Sequence, residues 1–289
     1  MNNFIRFFIY TIKNSMWLFN NLFSNKKKEK IYNYVELDYG YLSNNPKKIN
    51  NNNMDWTKLK PIEISKIKAI DFPEEQYYPI ETTKNQLVLH HTVSGPSIQG
   101  DLNTWLGDVA RVGTHFIIDR DGTPYQLISS KYWIHHLGVK KDVLTQYGFT
   151  DVQSRNIELN EHSIGFELDN WGYLILGDGT KKQFGDKTIK TIKGKYYTAY
   201  GTVVDVPIQE YPNLFRGQKY YEKYTDAQIQ TLGELLLYFH NKFNIPMDYN
   251  EDMWDLSKNA LSGKSGIWSH CSFRPDKSDV TPQIELINM

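Results

Sequence analysis

From Gln86 to Phe243 the chain alternates short apolar runs of strand length with stretches of helical periodicity. That alternation restricts the fold more than any other feature. Gln86–His91, His115–Asp119, Pro124–Ile128 and Ser163–Leu168 read as strands, and Arg120-Asp121-Gly122 between the second and third is a hairpin signal. Leu102, Trp105, Leu106 and Val109 recur at helical spacing after Asp101, which suits an N-cap. Thr225-Asp-Ala-Gln228 reads as a capping box, and Ile229, Leu232, Leu235, Leu236, Phe239 and Phe243 give the following helix one apolar face. Pro246 is the expected stop. Interleaved strands and helices with one hairpin predict an α/β fold, a central mixed sheet flanked by helices. Residues 178–224, rich in Gly, Lys and Tyr, read as an inserted hairpin-like segment with its own short strands.

Composition narrows the function classes. At 289 residues, with 40% hydrophobic and 14% aromatic content, the chain can bury a core. Thirty-three basic residues balance 33 acidic ones, so electrostatic grip on nucleic acid is not expected. The single cysteine, Cys271, excludes an internal disulfide framework. The balance hides an uneven split, because residues 1–30 hold six basic residues against Glu29 alone. Phe4, Phe7, Phe8, Ile12, Leu18, Phe19, Leu22 and Phe23 give that segment a wide apolar face. It reads as a membrane-surface anchor or uncleaved export signal, or equally as a helix docking on its own domain or a partner. Residues 31–54 read as a polar linker, most plainly at Asn44–Asn53, and residues 55–289 as one globular domain.

Three residues stand out as ligands for a cation. His90 ends an apolar strand, where a rigid element can deliver an imidazole to a cleft. His270 and, nine residues on, Asp279 offer a second imidazole and a carboxylate. On spacing alone, ordinary packed histidines fit as well.

Leu87–Ser94, Gly113–Gly122, Ile134–Gly138, Ser163–Leu168 and Ser269–Asp279, in that order, resemble the type-2 N-acetylmuramoyl-L-alanine amidases, zinc enzymes that share a fold with peptidoglycan recognition proteins. The resemblance covers roughly residues 84–284, and the layout looks most like phage or prophage endolysin-type amidases. It implies zinc held by His90, His270 and Asp279, with Glu167 as the proton-transfer group and Lys277 near the scissile carbonyl. Some branches use a tyrosine just before the His-Phe pair; Thr114 stands there, which favours Glu167. His136 matches a substrate-side histidine, with His135 its neighbour. His91 would point to the opposite side of its strand, and His115, His162 and His240 would be structural, with Cys271 a packing residue. The implied reaction is hydrolysis of the amide between N-acetylmuramic acid and L-alanine in peptidoglycan. A non-catalytic peptidoglycan-binding module is the alternative. The protein is expected to act as a monomer on the cell wall, in the periplasm or outside the cell, or on a host wall if phage-derived.

Overall fold

The computed structural model describes residues 56–289. The expected N-terminal helix and the whole polar linker lie outside the described residues.

The first half of the described chain builds most of one sheet. In order it forms β1 (Lys68–Ala69), β2 (Gln86–His91), α1 (Gln99–Leu106), β3 (Phe116–Ile118) and β4 (Pro124–Gln126). Then come α2 (Lys141–Gln146), α3 (Val152–Glu161) and β5 (Ser163–Leu168). Seven strands follow: β6 (Tyr173–Leu176), β7 (Lys181–Phe184), β8 (Lys187–Lys190), β9 (Tyr196–Thr198), β10 (Val203–Val204), β11 (Ile208–Phe215) and β12 (Gln218–Glu222). The chain closes with α4 (Asp226–Phe243), α5 (Lys258–Leu261), β13 (Gly266–Ser269) and α6 (Ile284–Ile287).

The main sheet has the order β1-β4-β3-β5-β2-β13. All its pairs are parallel except the β3–β4 hairpin, so the sheet is mixed, as the sequence predicts. Every residue of β2 and of β5 is buried, the mark of strands covered on both faces. On one face Phe116 and Phe166 stack at 5.4 Å, and both meet Phe239 of α4. The other face carries Ile117, packed with Ile98, Leu102 of α1, Leu127, Ile128 and Ile134. Side chains alternate along a strand, so a polar residue set between the packed positions is carried rigidly.

The helix starts differ in one place from the sequence reading. At α4 the capping box forms in full, with Thr225 and Gln228 each satisfying the other's backbone N–H. The helix stops at Phe243 because Asn244 turns into the left-handed region at φ 54°, ahead of Pro246. Asp101, by contrast, is not an N-cap. The helix begins at Gln99, and the Asp101 carboxylate instead accepts from Ser94 Oγ at 2.8 and 2.9 Å. The chain leaves that helix at Gly107, so Val109 is 97% exposed rather than part of its apolar face.

The inserted segment is more than a hairpin. A second, antiparallel sheet runs β10-β9-β6-β12-β11, and β7–β8 forms a separate hairpin. Its first strand starts at Tyr173, ahead of the predicted start at 178. Arg120 ties the two sheets together, reaching Asp169 after β5 at 2.5 Å and Glu222 of β12 at 2.8 Å.

Candidate metal centre

Strand register brings the two imidazoles together. Ser269 of β13 pairs with Leu89 of β2, so the next residue of each strand, His270 and His90, leaves the sheet side by side. Their Nδ1 atoms lie 3.0 Å apart although 180 residues separate them in sequence. Beyond His270 the chain makes one 3-10 turn and returns, with the Cys271 N–H donating to Asp279 O at 3.3 Å. That return sets Asp279 Oδ2 at 2.9 Å from His270 Nδ1 and 3.3 Å from His90 Nδ1. His90, His270 and Asp279 are 2%, 5% and 6% exposed.

This triangle fits a zinc ion. Ligands at 2.0–2.1 Å on a tetrahedron sit roughly 3.3–3.4 Å apart, close to the three separations here. Two imidazole nitrogens and a carboxylate oxygen are a zinc donor set, with a fourth position left for water. His270 Nε2 donates to Leu137 O at 2.9 Å, which leaves Nδ1 as the nitrogen able to face the triangle as a lone-pair donor. A proton on one ring nitrogen would bridge one pair; a cation at the centre serves all three.

The electrostatics follow from burial. Burial, with a smaller contribution from neighbouring His270, pushes the His90 pKa down to about 4 and so favours the neutral, ligating form. Burial works to raise the Asp279 pKa. Its close contacts with His270 and His90, together with the Lys277 ammonium, outweigh it and hold the carboxyl well below its usual range. Lys277, half-buried, lies on the same loop two residues before Asp279.

Glu167 pairs with His90 across β5 and β2, so the two side chains share a face of the sheet. Its Oε2 atom is buried and has no hydrogen-bond partner within the described residues. Burial first, then the Asp279 and Asp101 charges, raise its pKa well above the ordinary carboxylate range. That combination is what a proton acceptor working near neutral pH needs. Thr114 is 1% exposed and its hydroxyl donates to Phe116 O, so it offers the site nothing.

The other singled-out residues fall as follows. His136, expected on the substrate side, is 7% exposed with both ring nitrogens engaged inside the protein, by His90 Nε2 at 3.0 Å and Ser163 Oγ at 2.7 Å. No ring nitrogen is left over for a substrate. His135 meets the Tyr78 hydroxyl and the Trp133 ring instead. His91 points to the opposite side, against Tyr224 OH at 2.7 Å. His115 accepts from Gly165 N and bonds Tyr132 O, both structural contacts. Cys271 is fully buried, and burial pushes its thiol up to about 12, which suits packing and excludes a thiolate nucleophile.

Sequence reasoning missed Asn160 and Arg216. Asn160 Oδ1 accepts from the N–H groups of His136 and Leu137. Arg216, in the β11–β12 turn, donates to Cys271 O and Pro275 O on the loop between His270 and Asp279. The Arg-Gly pair at 216–217 signals a turn but not what the turn touches.

No curated protein sequence matches the chain. Among solved structures, it is similar to the endolysin N-acetylmuramoyl-L-alanine amidase LysCS from Clostridium intestinale URNW, at 14% identity and a TM-score of 0.34 over 74% of this chain and 86% of that one. A selenomethionine derivative of AmpD matches at 16% identity and a TM-score of 0.39, over 79% of this chain and 96% of the other. Likenesses this weak carry no argument. The sequence itself does: the pattern of the N-acetylmuramoyl-L-alanine amidase family matches residues 81–282. That is well over half of its length, and the chain belongs to the N-acetylmuramoyl-L-alanine amidase family.

Proposed function

We propose that this amidase is zinc-dependent, with His90, His270 and Asp279 as the ligands, and that it cleaves the lactyl–L-alanine amide of peptidoglycan at the cell wall. One observation carries the reading: two buried imidazole nitrogens and a carboxylate oxygen converge within 3.3 Å of one another, on the sheet face that also carries Glu167, whose buried Oε2 has no hydrogen-bond partner among the described residues. When bound there, zinc would polarise the scissile carbonyl and lower the pKa of an attacking water toward about 7.

The chain's own residues then divide the remaining tasks. Glu167 Oε2 accepts the proton of the attacking water and returns it to the leaving amine nitrogen. Its raised pKa makes it a stronger base than an ordinary carboxylate and a usable acid in the second half of the reaction. The Lys277 ammonium stabilises negative charge that develops on the carbonyl oxygen. Asp279 stays ionised throughout, which its depressed pKa favours. The bond is the one at the head of the stem peptide, so glycan and peptide arms would extend in opposite directions from the site.

The test is metal content paired with product release. Purified full-length protein should hold about one zinc per chain and release stem peptides from isolated sacculi. Chelation should stop release, and added zinc should restore it. Release that continues undiminished in chelated, zinc-free protein would defeat the reading.

A further inference from the structure

We infer that Ser163, His136 and Asn160 are positioning residues that fix which nitrogen each ligating histidine presents to the cation. The inference rests on the ligand assignment proposed above. It concerns the proton positions behind those ligands.

The direction of the hydrogen bonds is forced from one end. Ser163 Oγ donates its only proton to the carbonyl of Leu159 at 2.6 Å, and a carbonyl can only accept. The contact between Ser163 Oγ and His136 Nε2, at 2.7 Å, must then run the other way, with His136 Nε2–H donating. A neutral imidazole has one N–H, so His136 Nδ1 is bare. It lies 3.0 Å from His90 Nε2 and can only accept from it. His90 therefore carries its proton on Nε2 and turns a bare Nδ1 toward His270 and Asp279. A carbonyl on α3 thus sets the ligating atom of a histidine on β2 through two intermediate side chains.

The same short segment orients the second ligand. Asn160, which is fully buried, accepts with Oδ1 from the His136 N–H at 2.8 Å and the Leu137 N–H at 3.1 Å. Its amide nitrogen is tied to Asn156 O at 2.7 Å, which fixes which end accepts. So held, Leu137 presents its carbonyl to His270 Nε2 at 2.9 Å. The His136 side chain serves one ligand and the Leu137 backbone serves the other, both pinned by Asn160.

Strand β5 shows why this arrangement is encoded locally. Ser163, Gly165 and Glu167 alternate along β5, so all three face the same side of the sheet. Ser163 anchors the His136 ring and Glu167 lines the site. Between them a Cβ at Gly165 would lie 3.0 Å from His136 Nδ1, so any larger residue would press on the ring. One strand face thus supplies the anchor, the space and the proposed base.

Partners behind metal-ligating histidines fix ring orientation and tautomer, and losing one typically costs about 10- to 100-fold in metal affinity. The experiment has two arms on the full-length protein. First, long-range proton–nitrogen correlation spectra of the cation-free protein read each imidazole. His90 and His136 should both be protonated on Nε2 and bare on Nδ1. Second, zinc affinity is measured by competition with a chromophoric chelator. Ser163→Ala should weaken zinc about 10-fold and His136→Leu toward about 100-fold. His136→Asn, whose amide oxygen can occupy the Nδ1 acceptor position, should recover most of that loss. A merely space-filling role would rank leucine with asparagine. A wild-type His90 protonated on Nδ1 would overturn the inference, as would equal affinity in all four proteins. Wild type that binds no zinc would defeat the ligand assignment instead, and the spectra would still report the relay.

Discussion

The two large sheets of this protein differ in what they bury and in what they offer at their ends. In the six-stranded sheet, β2 and β5 are buried along their whole length, and polar groups sit among the apolar ones: Gln86, His90, His91, Ser163 and Glu167. In the five-stranded sheet two tyrosines join Leu174 and Phe215 in the interior. Tyr197 and Tyr221 are buried, and each hydroxyl is bonded to a backbone group, Tyr197 accepting from Ile192 N and Tyr221 donating to Phe215 O. The parallel arrangement brings β2 and β13 to a common edge, so residues far apart in sequence leave the sheet together. The antiparallel arrangement instead puts a turn at the end of each strand pair. Its two-residue turn at Arg216 and Gly217, with φ of 48° and 79°, aims the Arg216 guanidinium at the loop bearing Lys277 and Asp279. Asp255 balances that charge at 3.0 Å. One sheet supplies the donors; the other holds the loop that completes them.

This division of labour can be tested from its strongest consequence downward. His270→Ala removes a donor from the parallel sheet and should abolish bound zinc. Hydrolysis of sacculi should then fall by more than about 1,000-fold, beyond the loss of a single charge-stabilising group. Unchanged turnover would end the claim that the strand ends form the centre. Glu167→Gln should keep one zinc per chain while turnover falls about 100- to 10,000-fold. Loss of metal in that variant would make Glu167 a ligand rather than a base.

A third consequence concerns acid. Burial, the main cause, drives the His115 pKa from 6.5 down to about 3, so the folded protein keeps this ring neutral where the unfolded chain protonates it. Between those values the unfolded state binds more protons, and stability drops as pH falls through the window. The cost at pH 4 is on the order of 3 kcal/mol. Residues 173–222 contain no histidine, so the inserted sheet has no counterpart to this effect. Denaturant titrations at pH 7 and pH 4 should show the loss, and His115→Gln should shrink it. The smallest effect is expected at the second sheet's turn. Arg216→Ala should weaken zinc about 10-fold, whereas Leu214→Ser, two residues away and 54% exposed, should leave it unchanged. Equal responses would make the turn a bystander.

Local patterns were legible in the sequence where local physics decides them. The runs Gln86–His91 and Ser163–Leu168 become strands with those same ends, because each carries a short apolar stretch of strand length, as strands covered on both faces do. The Thr225–Gln228 box forms because its partners are three residues apart. Asp101 misled because Asp suits a cap, yet Ser94 claims its carboxylate across a turn that spacing does not reveal. The pairing of His90 with His270 came from family resemblance, since nothing in local spacing links residues 180 apart. The inserted sheet was read too small, because its strands are short and half-exposed, as in the mixed exposure of β11. Asn160 and the links through Ser163 stayed out of reach because their meaning exists only once α3, β5 and the 134–138 segment have met.

The placement of β13 next to β2 has a consequence for synthesis. A ribosome that has released β2, all three helices of the first half and the whole inserted sheet has still made only one of the three donors. The other two arrive with the strand Gly266–Ser269 and the loop behind it. A growing chain is therefore an unarmed one: whatever the finished enzyme does to a wall, its unfinished copies carry the scaffold without the tool.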